Sequence, residues 1–332
     1  MTATQTAPAD ASTLATPAEG DIPPVVKRKP PRIPRRPRRL RLPQPPREPA
    51  PRDARWWLGA AMLCVSLMLL AFVAHVAVFS TFQHHRAQTI AYNDLRVSLA
   101  NAETAVGQLA DEDVMVALGT PVALLEAPAI GLSEVVLEGT TGQVLRSGIG
   151  HRRDSVMPGQ AGTAVILGRQ TTYGGPFAQI YRLRPGDTVT ITTGQGINTY
   201  RVFGLRRAGD PLPAARTGDQ GRLELQTADG LALFPSGVLY VDAELVTDAQ
   251  ATPSRVMAYA ALPPDERAMG QNRDGWFLTF FVLVFFTLAG LGVWWLWTSW
   301  GRWHAWVIGL PLLLALGVAA ADTAMDALPN LL

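Results

Sequence analysis

This chain of 332 residues has one cysteine, Cys64, and it stands inside an apolar run. An intrachain disulfide is therefore excluded, and so is a four-thiolate zinc site. Histidine is scarce as well, with five in the chain, and His151 alone falls between residues 120 and 247. One histidine among scattered acids has no metal-ligand spacing, so neither a metal nor a cofactor is expected. Long apolar runs are absent between residues 80 and 275, which sets that stretch apart from both ends of the chain. The formal net charge of +2 is small but misleading. Residues 27–55 carry twelve Lys or Arg against Glu48 and Asp53, so the remainder is acidic on balance.

What is present at the start is proline and arginine. The run "KRKPPRIPRRPRRLRLPQPPREPAPR" combines helix- and strand-breaking proline with mutual charge repulsion, and residues 1–55 read as a disordered tail. A basic run can serve nucleic acid, but the apolar run directly after this one points to a membrane lipid surface instead. Residues 56–79 ("WWLGAAMLCVSLMLLAFVAHVAVF") are long and apolar enough to cross a bilayer. The positive-inside rule then keeps the basic tail cytoplasmic and puts the chain after Phe79 outside. Residues 276–297 and 303–321 read as two further spans joined by a turn with Arg302 and His304, and Pro311 offers a kink. The expected location is a multi-pass plasma-membrane protein. His75, inside the first span, faces a neighbouring helix or the outer interface, and a proton relay is the alternative.

Residues 80–119 read as a helical stalk. Leu95, Leu99, Ala102, Val106 and Leu109 repeat at four-three spacing, so residues 95–109 offer a homodimer seam. From about residue 120 to 247 the texture becomes short β-prone runs separated by Gly, Pro and Asp: "VALLEA", "SEVVLEG", "TAVILG", "DTVTITT", "NTYRVFGL", "RLELQTA" and "GVLYVDAELV". Such spacing with short polar connections predicts a barrel or sandwich. Gly194 and Gly196 are expected in the turn of a hairpin over 192–202. Residues 248–275 read as a polar linker back to the membrane.

"PAIGLSEVVLEGTT", "GIGHRRDSVMPGQAGTAVILGRQTTYGGPFAQIYRLRPGDTVTIT" and "NTYRV" resemble the sortases, in particular the actinobacterial enzymes called class E. The resemblance implies a membrane-anchored, mostly β protein at the cell surface: an eight-stranded sortase-like barrel with one N-terminal and two C-terminal transmembrane helices. Sortases are cysteine transpeptidases that cleave a sorting signal of the LPXTG type. Their catalytic His, Cys and Arg would fall here on Arg169, Ala228 and Val238, the last give or take one residue. An alanine methyl cannot hold a thioester, guanidinium does not shuttle protons near neutral pH, and valine donates nothing to an oxyanion.

The expectation is a catalytically inactive sortase-like protein that binds or scaffolds a sorting-signal peptide, a surface protein or an active sortase. Its groove candidates are Arg169, Gln170, Thr171, Thr172, Tyr173, Thr227 and Asp229. Arg169 either pairs with a ligand carboxylate, is solvated, or pairs with Asp229, and Asp229 itself is expected in solvent at a strand end. His151 is read as structural. Two alternatives stand beside this: a cysteine-independent transpeptidase or hydrolase built on a residue such as Thr227 or Ser236, and a purely structural membrane component whose groove is filled by its own side chains.

Overall fold

The structure, a computed structural model, describes residues 54–110, 114–232, 234–273, 275–299 and 301–332. The disordered tail expected over 1–55 lies outside the described residues as far as residue 53.

Helix α1 (Ala54–Ala74) passes through a single π-helical turn, His75–Phe79, into α2 (Ser80–Ala100). The apolar side chains of α1 are exposed, and its described apolar run, Met62–Ala74, is shorter than a bilayer needs. Helix α2 lies on the barrel. Leu95 is buried with Val135, Leu137 and Val144, and Leu99 packs at the edge of that cluster. Gln88 accepts the Val135 N–H at 2.7 Å and donates to the Ser147 carbonyl at 2.9 Å. The helix ends at Asn101, and Ala102 has φ 57°, a left-handed backbone that cannot continue an α-helix. The stalk is therefore shorter than expected. The seam is also redirected: Leu95 and Leu99 are used inside the chain, and Val106 and Leu109 are not helical. The homodimer contact expected over 95–109 loses its surface.

The barrel consists of β1 (Pro121–Ala127), β2 (Leu132–Glu138), helix α3 (Gly142–Ser147), β3 (Ile149–His151), β4 (Gly162–Leu167), β5 (Thr188–Thr193), β6 (Gly196–Arg207), β7 (Gly221–Leu231) and β8 (Phe234–Leu245). It closes in the order β1-β2-β3-β4-β7-β8-β6-β5, with β5 returning to β1. Seven strands match the β-prone runs, and β3 was not foreseen. Gly150 in β3 is forced by proximity, because a Cβ there would meet the Gly139 carbonyl oxygen at 2.2 Å. The hairpin turn is Gly194–Gln195; Gly196 is already paired with Thr193, correcting its expected place in the turn.

Alternation separates two faces of the sheet. Ala164, Ile166, Leu223, Leu225, Leu239 and Val241 point into the barrel core. Their neighbours Val165, Leu167, Ala228 and Val238 form a second cluster on the outer face of β4, β7 and β8.

The segment after β8 is not a loose linker. Gln250 bridges to Gln160, Leu262 is buried, and buried Glu266 pairs with Arg153. Helices α4 (Gly275–Ser299) and α5 (Arg302–Ala327) form an antiparallel hairpin. Their apolar windows have mean hydropathies of 2.2 and 1.9 and are only 6% and 17% buried, unlike core helices of a water-soluble domain. Two helices could thus span a membrane. Helix α5 runs through Pro311 without a break. His75 Nε2 lies 2.9 Å from Asp322 Oδ1 on α5, so it faces a neighbouring helix.

Candidate functional site

The outer face of β4, β7 and β8 brings together the residues singled out above. Leu167 pairs with Gln226 in the parallel β4–β7 register, and Ala228 pairs with Val238 in the antiparallel β7–β8 register. Arg169 and Ala228 therefore each stand two residues beyond the Leu167–Gln226 pair.

Arg169 contradicts two of its expected settings. It is fully buried rather than solvated, and Asp229 pairs instead with Arg207 at 2.9 Å. That pairing also corrects the reading of Asp229 as a free solvated acid. The Arg169 guanidinium donates to the Thr172 hydroxyl at 3.0 Å and the Gly142 carbonyl at 2.7 Å. It lies 5.0 Å from the Tyr173 ring centroid, a cation–π contact. Burial pushes its pKa down to about 10, so it is still a cation near neutral pH.

The loop after β4 folds around this cation. Tyr173, Gly174 and Gly175 all have positive φ, at 51°, 78° and 52°. At Gly175 a Cβ would meet the Gln170 carbonyl oxygen at 2.5 Å, so only glycine fits. Tyr173 is buried; its N–H donates to Ser80 Oγ at 3.0 Å and its hydroxyl to Asp322 at 3.2 Å. Burial, with Asp322 nearby, raises the phenol pKa. Tyr173 thus ties the loop to the helices and is not a groove surface. Thr171 is half-buried.

The cleft over this face is occupied from within the chain. Residues 328–332, at the end of α5, lie against it. Gln170 donates its backbone N–H to the Leu331 carbonyl at 2.9 Å, and Thr172 donates its own to the Leu332 carbonyl at 3.2 Å. The Thr172 hydroxyl also donates to Leu332 at 2.6 Å. The Leu331 side chain is fully buried among Leu145, Val165, Leu167, Ala228 and Val238. On the other side of Ala228 a cavity of about 270 Å³ remains, lined by Gln170, Tyr181, Arg207, Thr227 and Asp229 among others. The Thr227 hydroxyl is buried without a hydrogen-bond partner among the described residues. Ser236 donates to the Asp229 carbonyl at 3.2 Å, and no histidine lines the cavity.

A second constellation escaped the sequence reading. His151 Nδ1 lies 2.8 Å from Glu138, and Nε2 lies 3.0 Å from Ser155 Oγ. By distance this is a Ser–His–acid array. The protons are arranged otherwise. The Ser155 hydroxyl donates to the Arg152 carbonyl and accepts the Val165 N–H. Nε2 also lies 2.9 Å from the Val156 carbonyl, which only an N–H can satisfy. Burial alone would push the His151 pKa down, but the Glu138 charge and the hydrogen bonds to Glu138 and Val156 outweigh it and raise the value. With an Nε2–H committed to the Val156 carbonyl, His151 presents no free base to activate Ser155.

The sortase domain family matches residues 125–229, spanning β1 to the Ala228 end of β7. Residues 125–229 are thus a sortase domain. It is similar to sortase SrtE1 of Streptomyces coelicolor, at 23% identity over 46% of this chain and 44% of that protein. It is also similar to sortase D of Bacillus subtilis, at 32% identity over 24% of this chain and 38% of that protein. The chain thus spans less than half the length of the curated relatives it matches. Among solved structures, sortase E from Streptomyces avermitilis is 30% identical, with 46% of this chain and 100% of that one covered and a TM-score of 0.33. A Clostridium perfringens sortase D5 transpeptidase is 22% identical, with coverages of 49% and 99% and a TM-score of 0.41. The matched region supplies β2 to β6, most of β7 and the Arg169 loop, whereas β8, residues 328–332 and the helical hairpin lie outside it.

Proposed function

We propose that this sortase-domain protein is a non-catalytic peptide-binding or scaffolding protein of the cell-surface membrane, and that Arg169, Ala228 and Val238 stand where catalytic sortases carry His, Cys and Arg. The observation that carries this reading is Ala228, a buried methyl between Leu331 and the 270 Å³ cavity. The chain's single thiol, Cys64, is far from it in sequence, on apolar helix α1. Acyl transfer through a thioester needs a thiolate at that position. Arg169 is held by Gly142 and Thr172 and serves the shape of the loop rather than proton transfer. The partner class is a sorting-signal-type peptide, borne by a surface protein.

The test is cleavage of a quenched LPXTG-type peptide by the full chain in detergent micelles, beside an Arg169→His/Ala228→Cys/Val238→Arg variant. The expected result is no cleavage by the unmodified chain. Turnover by the unmodified chain that survives Cys64→Ser would sink the proposal. Cleavage gained by the triple variant would support the assignment of the three positions.

A further inference from the structure

We propose that residues 328–332 are an intramolecular ligand of a peptide-recognition cleft on the barrel, selective for a carboxamide side chain followed by leucine, and that a peptide of the same chemistry enters in trans only when this segment leaves. The inference rests on the peptide-binding reading of the cleft and names the occupant and the selectivity of that site.

Three separate features recognise the segment. The first is backbone pairing. Gln170 and Thr172 donate to the Leu331 and Leu332 carbonyls, and the Asn330 N–H donates to the Gly270 carbonyl at 2.9 Å. With the Leu332 N–H donating to the Pro329 carbonyl at 3.1 Å, these bonds hold residues 329–332 as a turn through the backbone, without regard to side chain. The second is a cage for Asn330, which is almost completely buried. Its Nδ2 lies 2.8 Å from the Thr140 carbonyl, 3.2 Å from that of Asp265 and 3.0 Å from that of Arg267. Three acceptors aimed at one atom demand a donor. A carboxylate placed there would face three carbonyl oxygens with no proton to offer, so the cage admits Asn and rejects Asp. The third is the socket for Leu331, formed by Leu145 of α3, Val165 and Leu167 of β4, Ala228 of β7 and Val238 of β8.

Arg169 acts on this cleft as a positioning residue. Its guanidinium donates to Thr172 Oγ1, which leaves the hydroxyl proton free to go to Leu332. The walls of the Asn330 cage come from the turn after β2 and from the connector at 265–267, which are held together by the Thr140–Glu266 hydrogen bond and the Arg153–Glu266 ion pair. The two walls are thus joined to each other by bonds in which the segment takes no part. A mere helix-end packing contact would need neither the carbonyl cage nor the paired amides.

The test uses the full chain in micelles. An Asn330→Asp/Leu331→Asp variant should release the segment. Amide hydrogen exchange at Gln170 and Thr172, residues the substitutions do not alter, should then speed up by about tenfold or more. The Val165 amide, bonded to Ser155, should stay protected, which separates release from unfolding. A labelled heptapeptide with the sequence of residues 326–332 should bind the variant at least ~10-fold more tightly than the unmodified chain, because the competing segment is gone. The same peptide carrying Asp in place of Asn should not bind. Leu331→Ala, which adds no charge, should give the same changes at smaller amplitude. Unchanged exchange at Gln170 and Thr172 in both variants overturns the docking, and equal peptide binding by variant and unmodified chain overturns the trans site. Cleavage of the LPXTG-type peptide by the unmodified chain would instead sink the non-catalytic reading and leave both of these readouts standing.

Discussion

At the scale of residues, two buried basic groups have opposite surroundings. Arg169 has no carboxylate within ion-pair distance among the described residues, and its charge is met by a carbonyl, a hydroxyl and an aromatic face. Arg169→Met leaves the Gly142 carbonyl without that donor, and an unsatisfied buried acceptor costs about 1–3 kcal/mol. Denaturant unfolding in micelles should register a loss of that size, with faster exchange at the Thr172 amide. His151 has its carboxylate, Glu138, and its pKa lies above the ordinary 6.5. The sign comes from linkage: a raised folded value stabilises fully below the unfolded pKa, and the contribution is lost as pH rises through the folded value. Stability should therefore fall on the alkaline side of about pH 6.5. Glu138→Gln should flatten that slope. A slope that persists in Glu138→Gln would place its origin elsewhere.

At the scale of elements, α2 shows how tertiary packing decides what a pattern means. The four-three spacing of Leu95 and Leu99 was legible as an apolar seam, but a seam does not name its partner. Here the partner is β2 with α3. Leu95→Ala should cost about 2–5 kcal/mol through the cavity it leaves, while light scattering should report the same particle mass as the unmodified chain. A change in mass without a change in stability would restore the dimer seam. The long strands were legible for the related reason that alternation and turn residues are local signals. Strand β3 was not, since three residues carry no period and its pairing partners are set by closure of the barrel. The groove was legible only in part. Arg169, Ala228 and Val238 could be placed by resemblance, but burial of the guanidinium depends on Gly142, 27 positions away in sequence. The Leu331 contact lies further still, and nothing local in "LPNLL" announces a docked segment. An asparagine in an otherwise apolar stretch, one residue past a helix-stopping proline, is the sole signal that could have drawn attention to it.

At the scale of the molecule, the three apolar helices meet the barrel at their near ends. Just after α1, His75 of the π-helical turn contacts Asp322 on α5, and Ser80 at the start of α2 accepts the Tyr173 N–H of the barrel loop. Helix α4 starts at Gly275, where an added Cβ would lie 3.5 Å from Ala327, and α5 ends there. Ser299 and Arg302 lie at the other end of the α4–α5 hairpin from Gly275 and Ala327. The basic stretch at 27–55 precedes α1. On the proposed reading as a membrane protein, the positive-inside rule predicts the α4–α5 turn and that stretch on the cytoplasmic side and the barrel outside. On a Cys64→Ser background, Leu231→Cys, 76% exposed on the barrel, should react with a membrane-impermeant maleimide in intact cells. Ser299→Cys, at the end of α4, should react only after permeabilisation. Labelling of Ser299→Cys in intact cells would reverse the orientation. Equal protection of both positions would mean that the barrel, with its occupied cleft, faces the cytoplasm, where a surface-protein sorting signal could not reach it.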